Sequence, residues 1–206
     1  GYSIRHYLNR YRFSFNLNYS KQSNVLTNRS FIEQNSSLSE NVFIKGGDNY
    51  GFNTEANFYL RKLKSNLKLK FNANRGFSFN AINGSDLRKN IYESLRYNVE
   101  WRTNFKSAFN FHLGTEWTES KVQSPGFENT NLNGFSFLDL FYKLNDRLDV
   151  KAVTEHYYFG NLEKNQRDYF FLDIEATYKL KGDKYTIGLK ANNVFNTEKF
   201  TTFNAS

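Results

Sequence analysis

Polar and apolar residues in this chain alternate one by one, and that two-residue period confines it to extended structure. From Tyr11 to Ser20 the residues Tyr11, Phe13, Phe15, Leu17 and Tyr19 fall on one side, and Arg12, Ser14, Asn16, Asn18 and Ser20 on the other. A helix, turning every 3.6 residues, would mix the two sets. The pattern recurs over Phe52–Leu60, Leu67–Asn74, Leu95–Arg102, Phe109–Trp117, Leu138–Lys143, Leu148–Ala152, Phe170–Lys179 and Tyr185–Ala191. These segments predict about nine strands, and no stretch carries a helical period.

Composition now becomes intelligible. Aromatic residues make up 18% of the chain, with 22 Phe, 14 Tyr and 2 Trp, yet the mean hydropathy is −0.71. A chain both so aromatic and so polar must segregate the two classes, and alternate faces of a sheet do this. The strands run to roughly ten residues, the length that crosses a bilayer when tilted, whereas soluble strands average about five or six. Short polar turns are expected at Arg61–Asn66, Phe105–Ser107, Asn145–Arg147 and Lys181–Lys184. Longer loops are expected at Lys21–Asn49, Ala81–Asn90, Val122–Asn133, Asn161–Asp168 and from Thr197 onward. Such alternation of short and long connections is the rhythm of an up-and-down outer-membrane barrel. Tyr11, Tyr19, Trp101, Trp117, Tyr178 and Tyr185 near strand ends fit its interfacial girdles. A soluble antiparallel protein with one wet face is the alternative, and it gives no reason for Tyr at both strand ends.

Several chemistries drop out. With no Cys, a disulfide scaffold, a thiolate metal site and a cysteine nucleophile are excluded. His6, His112 and His156 are the only imidazoles and are far apart, so no local histidine metal motif exists. No G-x-S-x-G elbow occurs and the carboxylates sit singly on alternating strands, so no enzyme activity and no cofactor is expected. Arg75-Gly-Phe-Ser-Phe79 matches half of an RNA-recognition octamer, but Asn80 and Ile82 break the rest and no helices are expected to complete that fold. The +8 charge therefore belongs to wall and turn positions, not to nucleic-acid binding. Arg12, Lys68, Lys70, Arg96 and Arg102 are expected to face the lumen, where pairing with Glu55, Glu100 and Glu116 is favoured over steering of an anionic solute.

The segment Leu189-Lys-Ala-Asn-Asn-Val-Phe-Asn-Thr-Glu-Lys-Phe200 resembles a signature late in the barrel of TonB-dependent outer-membrane receptors. That signature reads N-hydrophobic-F-[ND]-x-x-[YF], and Asn193, Val194, Phe195, Asn196 and Phe200 occupy its positions. The resemblance implies a larger barrel of roughly 22 strands with an N-terminal plug. It also implies uptake, driven by the TonB system, of a scarce ligand such as a metal chelate, glycan or peptide. On this reading residues 1–206 are a partial barrel domain, lacking the plug and the closing strand, with nine strands placing its two ends on opposite sides of the membrane. The absence of Met fits a processed or excerpted chain.

Phe31, Tyr50 and Phe127 are the candidate ligand contacts, because they stand among polar residues in or beside the longest loops. The expected partners are outer-membrane lipids, the remainder of the barrel and its plug, and the TonB system acting through that plug. A non-transporting barrel that anchors a surface lipoprotein or secretion partner is the alternative function.

Overall fold

An alternating strand leaves every backbone N–H and C=O in need of a neighbour, and the chain meets that need by consecutive antiparallel pairing. The computed structural model describes residues 1–8, 11–80, 87–103, 107–180 and 185–197. They form twelve strands: β1 Tyr2–Leu8, β2 Tyr11–Lys21, β3 Asn24–Glu33, β4 Ser36–Lys45, β5 Asp48–Leu60, β6 Ser65–Asn80, β7 Arg88–Thr103, β8 Phe109–Ser124, β9 Phe127–Lys143, β10 Leu148–Phe159, β11 Asp168–Lys179 and β12 Thr186–Ala191. Ten of them make one sheet in the order β1-β2-β5-β6-β7-β8-β9-β10-β11-β12, and β3 and β4 form a separate hairpin. The only helical element among the described residues is one 3-10 turn, Lys164–Gln166.

The sheet is all-antiparallel and up-and-down, as expected, but it has ten strands where the alternation predicts nine. The added strand is β1, whose apolar side is broken by His6, directly opposite Phe13. An even number changes the geometry of the ends: β1 starts at the side toward which β12 runs, so the expectation of opposite sides is corrected. The ten strands do not close on themselves, and β1 and β12 are the two edges of an open sheet.

The loop pattern is also corrected. Val122–Asn133 is not a loop, because β8 and β9 pair out to Ser124 and Phe127 across a Pro125-Gly126 turn, with Gly126 at φ 77°. Proline presets the first turn position and glycine takes the left-handed second. The Lys21–Asn49 stretch is the β3–β4 hairpin, paired from Asn24 opposite Lys45 to Glu33 opposite Ser36. These segments escape detection because both of their faces are polar or mixed, so pairing continues without a two-residue hydropathy signal. On the opposite side, the turn after β9 is tied by Asn145, whose Oδ1 accepts from Arg147 N at 2.9 Å and Leu148 N at 3.0 Å. Beside it, the Lys143 ammonium donates to Asp146 Oδ1 at 2.8 Å and holds that carboxyl below the usual range.

No ordinary core forms. Among the described residues only Ile44 and Tyr169, each 8% exposed, are buried apolar side chains. The accessible surface is 14945 Å², against about 10,000 Å² for a globular monomer of this mass.

Candidate functional site

Register assigns every strand residue to one of two faces. On the first, Phe58, Leu67, Trp101, Leu113, Leu138 and Leu172 lie in one row across the sheet, with Thr154 between the last two. Aromatic edges knit neighbouring strands, as in Phe15–Phe52 at 5.3 Å and Trp101–Phe111 at 5.1 Å. At ~3.3 Å per residue, Tyr11 to Tyr19 spans roughly 26 Å, or about 20 Å along the normal at a ~40° tilt, near the ~25 Å of an outer-membrane apolar band. Three threonine hydroxyls on this face bond partners within the sheet, while Ser65 Oγ on the same face is buried without one. Thr54 Oγ1 donates to Ser14 O at 3.1 Å, Thr154 Oγ1 to Leu138 O at 3.0 Å, and Thr115 and Ser136 bond each other at 2.8 Å. Trp117 Nε1 donates to Thr115 Oγ1 at 2.9 Å, while Trp101 Nε1 has no partner. The bonded hydroxyls meet what a face without water requires.

At the loop-side end of this band, in the register row of Tyr19 and Tyr50, the same face turns to charge over β6 to β8. Arg75 meets Glu93 at 3.0 Å and Lys121 meets Glu128 at 2.7 Å, with Glu93 directly opposite Lys121. The half-motif Arg75–Phe79 is therefore part of strand β6.

The second face is mostly polar over β1, β2 and β5 to β8 and carries all five expected cations. Arg12 pairs with Glu55 at 3.2 Å, Lys68 with Glu100 at 3.9 Å and Arg96 with Glu116 at 3.7 Å. Lys70 stands opposite Glu55, and Arg102 opposite His112.

Over β9 to β11 the same face changes character. Phe135 and Phe137, Tyr157 and Phe159, and Tyr169 and Phe171 stand side by side on three adjacent strands. Their ring centroids are 4.9 Å apart for Phe135–Tyr157, 5.8 Å for Phe135–Phe137 and 6.0 Å for both Tyr157–Phe171 and Phe159–Tyr169. Phe137 also lies over Gly114, where a Cβ would come within 2.6 Å of its ring. Glu155 lies within this patch, in one register row between Phe137 and Phe171, and accepts from Tyr157 Oη at 2.9 Å, while Asp173 at its edge accepts from Asn193 N at 2.8 Å. Among the described residues five polar atoms on the second face are buried without hydrogen bonds: Asn49 Oδ1, Asn80 Oδ1, Asn98 Oδ1, His112 Nε2 and Asn131 Oδ1. Asn98 belongs to the register row of Phe135, Tyr157 and Tyr169, and Asn131 is four residues from Phe135 on β9.

Sequence reasoning missed this patch. Its signal was the consecutive runs Tyr157-Tyr158-Phe159 and Tyr169-Phe170-Phe171, which make both strand faces apolar and erase the alternation.

The expected ligand contacts do not converge. Phe31 lies on the β3–β4 hairpin, opposite Leu38. Tyr50 is not in a loop but on the apolar face, opposite Tyr19, with its ring at 5.0 Å. Phe127 opens β9 on the polar face, opposite Ser124.

The signature residues build a turn. Asn193 and Asn196 adopt φ of 49° and 54°, the left-handed region that Asn tolerates. Asn193 Oδ1 accepts from Thr197 N at 3.0 Å, Val194 N donates to Leu172 O at 2.8 Å, and Thr197 Oγ1 donates to Phe170 O at 2.6 Å. The turn thus keeps the chain running along β11 beyond the end of β12, from Ile174 toward Phe170. Phe200 lies outside the described residues. Asn193→Ala loses its side-chain bonds and strains its backbone, so urea unfolding should show a loss of about 1–3 kcal/mol. Asn193→Gly, which restores only the backbone freedom, should lose less.

Among the described residues no group of three or more His, Cys, Asp or Glu side chains is placed to hold a metal ion. No protein-family model, curated protein or solved structure matches the chain.

Proposed function

We propose that this chain is wall of a transmembrane β-barrel in a Gram-negative outer membrane, serving a TonB-dependent type of receptor in active uptake of a nutrient ligand. The observation that carries the membrane part is the apolar face itself: a band about 20 Å tall along the normal, with threonine hydroxyls bonded within the sheet, a charged row at its loop-side end and, among the described residues, no second sheet laid over it. Burying such a face against lipid is favourable at roughly 25 cal/mol per Å² of apolar surface. The receptor part rests on the sequence resemblance at Asn193, Val194, Phe195, Asn196 and Phe200, and the ligand class is left as metal chelate, glycan or peptide. The open sheet needs further strands to seal β1 and β12, consistent with a place in a larger barrel. No bond-making role is assigned to any residue.

The complete barrel that contains this chain, refolded with lipid vesicles, is expected to float with them and to keep its fold in sodium dodecyl sulfate at room temperature. A chain that remains monomeric in water without detergent and unfolds in cold detergent overturns the membrane reading. Uptake into cells that survives collapse of the proton gradient overturns energy coupling. The β3–β4 hairpin favours a second role beside uptake, the anchoring of a surface partner: Leu26, Leu38 and Phe43 are 56%, 66% and 76% exposed on it. Deletion of the hairpin should then release the partner and leave membrane insertion intact.

A further inference from the structure

We infer that a depression at the loop-side end of the apolar face binds an acylated sugar lipid that carries two phosphates. The depression has a volume of about 740 Å³ and lies across β1 to β8, outside the β3–β4 hairpin. Its lower register row is apolar, and Ala73, set between Phe52 and Leu95, keeps the floor low there. The next row toward the loops opens on Tyr19 and Tyr50 and continues into Arg75 and Glu93. Tyr19, Tyr50 and Leu95 are exposed, so the surface is open to a ligand. One wall thus offers hydrocarbon contact below and charge above within two rows, and an amphiphile lying along the strands meets both.

The charges above the floor select the headgroup. The Arg75 side chain is 68% exposed and engages Glu93 through Nε alone, which leaves its two terminal nitrogens without a partner among the described residues. Further toward the loops on the same face, Lys89 lies 4.4 Å from the Phe77 ring centroid and Lys45 5.4 Å from that of Phe79. Neither lysine meets a carboxylate among the described residues, whereas Lys121 is held by Glu128 at 2.7 Å. Three cations therefore keep donors for oxyanions, and a guanidinium with two free nitrogens suits a phosphate. Lys89 is four residues along β7 from Glu93, the partner of Arg75, a distance of roughly 13 Å. A lipid with one phosphate would engage Arg75 and leave Lys89 and Lys45 unused, while phosphates at the two ends of a sugar head reach both positions. The Tyr19 and Tyr50 rings lie between the apolar floor and these cations, where the sugar would stand. The inference names one lipid partner of the proposed barrel, and rests on the reading of this face as lipid-facing.

The test is calorimetry on the complete barrel in nonionic detergent, titrated separately with micellar diphosphoryl lipid A, monophosphoryl lipid A and phosphatidylglycerol. The diphosphoryl lipid is expected to bind at least tenfold more tightly than phosphatidylglycerol, with the monophosphoryl form between them. Arg75→Gln combined with Lys89→Gln should weaken the diphosphoryl lipid at least tenfold, and Ala73→Phe, which raises the floor, severalfold. Lys151→Gln combined with Lys190→Gln removes the same charge from the opposite face, near the far end of the sheet, and should change binding less than twofold. Retained resistance to cold detergent shows that each variant has folded. Equal affinity for the diphosphoryl lipid and phosphatidylglycerol overturns the inference, as does binding that survives loss of Arg75 and Lys89 or falls equally with Lys151 and Lys190. Flotation with phosphatidylcholine vesicles is read independently. A barrel that floats without preferring the diphosphoryl lipid loses this site and keeps the membrane, and one that does not float loses both.

Discussion

Phe15→Arg is expected to destabilise the refolded protein by about 2–4 kcal/mol, the cost of placing a guanidinium near the middle of a lipid-facing band. Phe15 stands opposite Ile4 and Thr54, and its ring meets the edge of Phe52 at 5.3 Å. Losing that ring pair adds roughly 0.5–1.5 kcal/mol. Asn16→Arg is the control, one residue away and on the other face, opposite Ser3 and Asn53. There the new cation enters a polar wall that already carries Arg12 and Glu55, and the expected change is below about 1 kcal/mol. Urea unfolding of the vesicle-bound protein measures both. Equal losses would mean that the two faces do not meet different solvents, and the lipid assignment would go with them.

Gly47→Ala is expected to unseat the β3–β4 hairpin while leaving the ten-stranded sheet intact. A Cβ at Gly47 would lie 1.7 Å from the carbonyl oxygen of Phe77, a backbone atom that no rotamer change can move aside. Gly47 O accepts from Gln22 N at 2.9 Å and Gly46 N donates to Ser23 O at 3.0 Å, so the hairpin base is fixed from both sides. Relief of the clash requires the base to shift, at a cost of about 1–3 kcal/mol typical of overpacking. Ile44 would then emerge, and Lys45 would leave its place 5.4 Å from the Phe79 ring. Limited proteolysis at the Gln34-Asn35 turn should accelerate several-fold, with the cold-detergent resistance of the sheet unchanged. Gly188→Ala, where a Cβ meets nothing within 4 Å, should alter neither. Collapse of the whole sheet in Gly47→Ala would show that hairpin and sheet unfold as one unit.

The two substitutions probe opposite kinds of knowledge. The face of Phe15 is legible from Tyr11–Ser20 alone, because lipid or protein on one side and water on the other imprint a period of two. The contact of Gly47 with Phe77 joins residues thirty apart, and no local pattern announces it. The same division runs through the rest of the chain. The strands β2, β5, β6, β7 and β8 are legible over the parts that cross the apolar band. They become illegible where β8 and β9 continue to Ser124 and Phe127, since two polar faces carry no contrast. β1 is hidden by a single His6 on the apolar side. For the candidate site, the cations Arg12, Lys68 and Arg96 were legible as polar-face residues, and their pairing with Glu55, Glu100 and Glu116 follows from register. The aromatic patch was not, because rings on both faces of β10 and β11 weaken the alternation that identifies a face.

What the sequence determines by itself is therefore local: extended backbone, the absence of helices and of thiol chemistry, and two chemically distinct faces, all consequences of side-chain direction along one strand. Tertiary structure decides which strand lies beside which, that a long polar stretch is a hairpin, that Asn193 and Asn196 make a turn against β11, and that six rings from three strands share one surface. These depend on hydrogen-bond register between distant segments, and the free energy of a register is spread over many backbone pairs that no single stretch of residues encodes.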